Sequence, residues 1–344
     1  MLFDYFQNLG FNYAKREFDL YKEQTNMKMI TQAIYSHRYK GWSIPETCCY
    51  IFMRASSRLN VGASYFYRKY RRRSNNDFVR KWLRRHGDDF VFDFKGVLLP
   101  NVSGDFDLLS GLKYVFDDVY LIPIYFHNDY SQANVTLVDQ FTAEGPYGLV
   151  SEQVDVKVEQ GDVVFDVGAW IGDFSALAAA QGAAVYAFEP TPDTYKWLCR
   201  TASLSKGEII PVQKALGDKS EEVELLLDNS GGGSNSLPSL HKLTNGRESI
   251  ESHALPLVKV TTIDQFVFDN QISKVDFIKA DIEGAERYML NGATETLRRF
   301  APKLAICTYH LKDDPQVLED IIKEANPAYT IVHTRHKLFA SVKL

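Results

Sequence analysis

The 344-residue sequence predicts an α/β fold: a doubly wound sheet in the C-terminal part, behind a helical and then α+β N-terminal region. Two patterns carry that expectation. From residue 162 onward, apolar strand-like runs alternate with helical segments, as parallel strands joined by helical crossovers require. The last two strand-like runs are separated by TRHK alone, too short for a crossover, so that pair should be antiparallel.

Residues 1–87 read as helical. Tyr13 to His37 has helically spaced apolar residues without Pro or Gly, Pro45 can open a second helix, and a basic stretch follows Gly62. Residues 88–145 change character, with the strand-like runs FVFDF, GVLLP, VYLIPIYF and NVTLV broken by turn residues. A boundary is expected within FTAEGPYGLV, so that 146–344 forms the third region. There, strands are expected at Asp162–Val167, Ala184–Phe188, Ile209–Lys214, Val275–Lys279, Leu304–Thr308, Thr330–His333 and Leu338–Val342. Helices are expected at Asp173–Gln181, Thr191–Ser203, Ala285–Arg299 (breaking at Gly292) and Val317–Ala325.

Composition narrows the classes. No run is apolar and long enough for a spanning helix, and the N-terminus lacks the layout of a secretory signal. Four scattered cysteines make neither a disulfide framework nor a zinc site, which fits a reducing cytoplasm. The net charge of −5 conceals an asymmetry: residues 1–87 carry 17 basic against 6 acidic side chains. Nine of those bases lie between Arg68 and Arg85. That segment could meet an anionic acceptor or simply be a solvated helix face; no nucleic-acid partner is expected.

Three motifs carry chemistry. In VVFDVGAWIGDFSALAAA (163–180) a buried strand ends at Asp166, a turn holds Gly168 and Gly172, and an alanine-rich helix follows. Such a turn lets a ligand approach the backbone at the carboxyl edge of the sheet. The next strand ends in Glu189, placed to accept from both hydroxyls of a ribose. The pattern is D-x-G-x-x-x-G, not the G-x-G-x-x-G of dinucleotide sites, and Asp166 would repel a pyrophosphate. S-adenosylmethionine has no phosphate and carries an ammonium group, so it is the expected cofactor. In VDFIKADIEGAERYMLNGA (275–293), Asp281 ends a strand at the same crevice, with Glu283 and Glu286 just beyond it. In LAICTYHLKDD, the neighbouring strand delivers His310, expected as the base. No metal is expected, although Asp281 and His310 could share a cation.

The segments DVGAWIGDFS, AFEP, VQKALGD, TTIDQF and VDFIKADIEGAE, with the later strand ending in His310, resemble the FkbM family of S-adenosylmethionine-dependent methyltransferases. The resemblance covers about residues 140–344. It implies a class I methyltransferase, Rossmann-like sheet with an antiparallel final strand, and O-methylation, often of sugar hydroxyls in glycans or glycosylated natural products. Asp166, Gly168, Gly172 and Glu189 would hold the cofactor, Ala215 and Leu216 would lie along its adenine, and Asp281, Glu283 and His310 would face the acceptor. The family more usually has Asn where Trp170 stands. The rival functions are a non-catalytic binder of anionic glycan or RNA through the basic helices, and an NAD-dependent oxidoreductase.

Overall fold

A computed structural model of the protein describes residues 63–139, 142, 145–225 and 257–342. The helices expected before residue 62, Cys48–Cys49 and the glycine-rich loop at 231–236 lie outside the described residues. Two compact units divide the chain, residues 1–74 and 75–344.

Of the first unit, the described part is the opening of helix Ala63–Trp82. The second unit begins within that helix and continues as an antiparallel meander of β1 (Leu83–His86), β2 (Asp89–Phe94) and β3 (Val97–Pro100). The helical region therefore ends at Trp82, short of Gly87. Arg84 helps stop it, since its guanidinium donates to the Leu83 and Arg80 carbonyls. Phe78, Trp82, Phe94, Phe116 and Tyr120 pack ring on ring beneath the meander, with Phe94 and Phe116 centroids 4.5 Å apart.

Two expected strands are helical instead. VYLIPIYF spans a π-helical turn, Phe116–Tyr120, and helix Leu121–Tyr125, continuing helix Phe106–Val115. NVTLV lies within helix Gln132–Asp139. Short apolar runs carry no period that separates strand from helix, and here Asp105 starts the helix by accepting from the Asp107 and Leu108 amides. The π turn precedes Pro123, whose missing N–H interrupts regular α-helical bonding. Within the second unit, β3 packs on the first helices of the large sheet. This fully buried strand gives that apolar face a partner.

The hairpin β4 (Leu149–Val150) and β5 (Asp155–Val156) leads into the main sheet. That sheet has seven strands: β6 (Val163–Val167), β7 (Ala184–Phe188), β8 (Glu208–Val212), β12 (Phe277–Ala280), β13 (Lys303–Cys307), β14 (Thr330–His333) and β15 (Lys337–Ser341). The order is β14-β15-β13-β12-β6-β7-β8. Neighbours from β8 to β13 run parallel, and β15 is antiparallel to both β13 and β14. This is the Rossmann-like arrangement with one antiparallel strand inserted near an edge, as the short TRHK link required. Helices Asp173–Ala180, Pro192–Leu204, Glu286–Asn291, Thr294–Arg299 and Asp314–Ala325 supply the crossovers. The central strands are buried on both faces, so they read as continuous apolar runs. A small sheet, β10 (Glu221–Glu224), β11 (Leu257–Thr261) and β9 (Ala215–Leu216), and helix Ile263–Asp269 fill the stretch between β8 and β12. No described helix is long and apolar enough to cross a membrane.

Candidate active site

The carboxyl ends of β6, β7, β12 and β13 meet at one rim. Backbone bonds run past the strand ends and fix the loops there: the Gly168 and Ala169 amides donate to the Phe188 carbonyl, and the Asp281 amide donates to Val167. Gly168 has φ 79°, and a Cβ on it would lie 2.0 Å from the Asp281 carbonyl oxygen. The β6 and β12 loops can touch backbone to backbone only because that residue is glycine. Gly172, at φ 85°, starts its helix where a Cβ would meet Leu198 and Thr201.

Asp166 is fully buried. Its Oδ2 accepts from the Ser175 hydroxyl at 2.6 Å, and Oδ1 lies 3.1 Å from the Lys279 ammonium. Burial would strip the proton from Lys279, but Asp166, then Asp281 and Asp173, raise its pKa and keep it charged. The ammonium also donates to the Gly168 carbonyl at 2.7 Å. A carboxylate without solvent in this interior needs an internal cation, and Lys279 supplies it. Asp173 shares the same interior, and burial pushes its carboxyl up to about 7, with Lys279 opposing and Asp166 adding to the rise.

Glu189 is nearly buried. Its Oε1 accepts from the Thr191 amide and the Thr194 hydroxyl, both at 2.8 Å, and its Oε2 from the Trp170 amide at 3.1 Å. Burial raises its pKa while these donors pull it back. A carboxylate offers about four acceptor sites. The Thr191 hydroxyl joins these three donors, so the loops on both sides of the strand end hold the carboxylate in place. Trp170 makes this possible by adopting φ 49°, a conformation that favours Gly or Asn, which accounts for the Asn more usual there. Its indole lies against Gly111, where a Cβ would sit 3.2 Å from the ring. Ala215 and Leu216 form β9 and pair with Val260 and Thr261; Leu216 is buried in the core.

At β12 and β13 the structure brings Asp281, Glu283 and His310 together, and adds partners that are distant in sequence. The Tyr147 hydroxyl donates to Asp281 Oδ2 at 2.7 Å and the Tyr309 hydroxyl to Oδ1 at 3.2 Å. The Tyr147 ring stands between two ammonium groups, 5.2 Å from Lys279 and 4.7 Å from Lys337. His310 Nε2 is 3.4 Å from Asp281 Oδ1 and 3.7 Å from Glu283 Oε2, while Nδ1 is 3.0 Å from Glu286 Oε1. Burial would lower the His310 pKa, but Glu286, then Asp281 and Glu283, outweigh it and push it up to about 10. The same contacts, His310 first and then Lys279, hold Asp281 well below the usual carboxylate range against its own burial. Three surrounding carboxylates favour the charged ring. Glu283 adopts φ 55° beside Gly284 at 95°, and Glu286 closes the loop by accepting from the Ile282 amide at 2.9 Å. Arg287 ties the start of that helix to Asp313 and Asp314, holding the His310 loop in place.

The basic segment presents a plainer picture. Arg80 and Lys81 at the end of the helix and Arg84 and Arg85 on β1 are exposed while Phe78 and Trp82 are buried, the layout of a solvated surface over an apolar face.

Comparison with known proteins gives the following likenesses. The model of the methyltransferase FkbM domain matches residues 166–327. Hexuronic acid methyltransferase AglP of Haloferax volcanii is 27% identical over 169 residues, which cover 49% of this chain and 64% of AglP. A tRNA (guanine(37)-N(1))-methyltransferase of Ciona intestinalis is 43% identical over 49 residues, 14% of this chain and 11% of that protein. Among solved structures, a methyltransferase FkbM from Methylobacillus flagellatus is 22% identical with a TM-score of 0.41, covering 68% of this chain and 54% of that one. Aeropyrum pernix fibrillarin, solved with natively bound S-adenosyl-L-methionine, is 12% identical with a TM-score of 0.34, covering 62% and 74%. The chain thus spans less than two thirds of the length of AglP and of the Methylobacillus protein.

Proposed function

Because residues 166–327 match the methyltransferase FkbM domain, we propose that this chain moves a methyl group from S-adenosylmethionine to a hydroxyl of a sugar, most simply within a glycan. The observation that carries the reading is the meeting of the Gly168 turn and Glu189 with Asp281, Glu283 and His310 along one strand-end rim. The residues fit the cofactor on two counts. The Glu189 carboxylate stands at the end of the strand beside the Gly168 turn, and that turn leaves its backbone free of a side chain. Bound there, S-adenosylmethionine would supply an electrophilic methyl group on a sulfonium leaving group.

The chain's own task is then to orient the acceptor oxygen and receive its proton. Glu283, with 29% of its side chain exposed, and Asp281, with 12%, face the rim, whereas His310 sits behind them at 5%. The proton therefore passes to a rim carboxylate, Glu283 being the more open, and Tyr147 and Tyr309 hold Asp281 in position. That AglP is a hexuronic acid methyltransferase supports an acidic sugar as acceptor. The antiparallel β15 and the unphosphate-like turn speak against the NAD-dependent alternative.

The test is transfer of labelled methyl from S-adenosylmethionine to uronic-acid glycans, neutral glycans and RNA in parallel. Alkali-stable label on a sugar supports hydroxyl methylation, and alkali-labile label would move the product to a sugar carboxyl. Label on RNA alone, or on none of them, would overturn the proposal.

A further inference from the structure

Beneath the acceptor rim, the structure holds a pocket of metal-type ligands. Among the described residues, Asp281, Glu286 and His310 form a group whose ligand atoms all lie within 4.8 Å of one another. Their exposure falls from mouth to floor: 12% for Asp281, 5% for His310 and none for Glu286. Glu283 stands at the mouth, 3.7 Å from the imidazole.

The hydrogen bonding is incomplete where it should be most complete. Both His310 ring nitrogens and Glu286 Oε2 are buried and lack an aligned hydrogen-bond partner, although carboxylates lie at ion-pair distance. Buried polar atoms are normally satisfied. A protonated ring should aim its N–H groups at those oxygens, and this one does not. A small cation needs no such alignment, because it sits between the lone pairs and draws each to about 2.0–2.2 Å. Ligand atoms of one ion then lie up to about 4 Å apart, close to the spacing seen.

The remaining contacts match an outer shell. Asp281 receives two phenol hydroxyls, from Tyr147 and Tyr309, and Glu286 Oε1 receives the Ile282 amide. Ligating carboxylates are usually oriented in this way.

We propose that His310, Asp281 and Glu286 bind a divalent cation of the Mg2+ or Mn2+ type, with Glu283 at its open side. One imidazole with carboxylate oxygens suits such ions better than thiolate-seeking ones. The ion's open positions point to the rim, where the hydroxyl and carboxylate oxygens of an acidic sugar would complete its shell; that role rests on the proposed function, whereas binding of the ion does not.

Titrating the full chain with Mn2+ alone, and reading free Mn2+ by electron paramagnetic resonance, tests the site without any methyl donor. The expected result is one bound Mn2+ per chain, with affinity at least tenfold weaker in His310→Ala and in Asp281→Asn. Asp281→Asn keeps the side-chain size, so it remains readable if His310→Ala fails to fold. Thermal melts should show Mn2+ raising the Tm of the unmodified chain and leaving that of Asp281→Asn in place. No loss of free signal up to millimolar Mn2+, or equal binding by a folded Asp281→Asn, would overturn the site. Bound Mn2+ without methyl transfer to any sugar would uphold the site and sink the acceptor reading alone.

Discussion

Replacing Lys279 by Met should unbalance the interior beneath the rim. The ammonium is about nine-tenths buried, lies 3.1 Å from a fully buried Asp166 and donates to the Gly168 carbonyl. Removing it leaves the Asp166 carboxylate with the Ser175 hydroxyl as donor but no cation beside it, and leaves the Gly168 carbonyl without this N–H. An uncompensated buried charge costs ~3–5 kcal/mol. A lost neutral hydrogen bond adds about 1 kcal/mol. The sum is much of the ~5–15 kcal/mol that holds a typical domain together. With a urea slope of ~1–3 kcal/mol/M, the midpoint should fall by at least roughly 1.3 M. The double variant Asp166→Asn with Lys279→Met should recover most of that, since a neutral pair of similar volume is often as stable as a buried ion pair. Urea unfolding of the parent, both singles and the double completes the cycle. A Lys279→Met loss below about 1 kcal/mol, or a double no more stable than the single, would refute the claim that this pair neutralises the site.

Three further outcomes are expected. Gly168→Ala should destabilise by at least ~2–3 kcal/mol, or yield insoluble chain, because its Cβ would fall 2.0 Å from the Asp281 carbonyl oxygen; an unchanged melting temperature would deny the close approach. Glu189→Gln should weaken S-adenosylmethionine binding by ~1–3 kcal/mol in calorimetry, and unaltered affinity would remove Glu189 from the cofactor site. Asp173 has its folded pKa raised from 3.8 to about 7, so the stability it contributes is complete below about pH 4 and is lost as pH rises toward 7. Asp173→Asn should flatten stability across that window and gain up to ~4 kcal/mol over the parent at higher pH; parallel pH profiles would show that Asp173 titrates normally.

The sheet was legible because its strands are buried on both faces and punctuated by glycine turns, so β6, β7, β12, β13 and the final hairpin fall within two residues of expectation. Between residues 119 and 138 the same logic misread helices, because eight or fewer apolar residues hold no decisive period. At the site, Asp281, Glu283 and His310 were legible as a set, since each follows a strand at one edge. Their electrostatics were not. Whether His310 accepts or holds a proton depends on Glu286, which lies 24 residues before it and is paired with it by the fold rather than by any local pattern. Lys279 sat unnoticed inside the apolar run FIKA. A lysine in a doubly buried strand is itself a signal, but only the β6–β12 register, which sets it opposite Asp166, names its partner. Tyr147 lies 134 residues from the carboxylate it serves, beyond the reach of any local pattern.

The contact of Gly168 with the Asp281 carbonyl joins the β6 loop, proposed to hold the methyl donor, to the β12 loop, proposed to meet the acceptor, at a single point without a side chain to yield. Specificity in such an enzyme cannot be shuffled piecemeal. A 281–286 segment grafted from a relative with another acceptor carries its own carbonyl position, and a shift of a few tenths of an ångström there would press on the turn that lies beside Glu189. Chimeras that exchange the β6 and β12 loops together should keep methyl-donor binding, while those that exchange either loop alone should lose it along with the old acceptor. Acceptor diversity would then spread through the rim by paired changes, with the joint inherited intact.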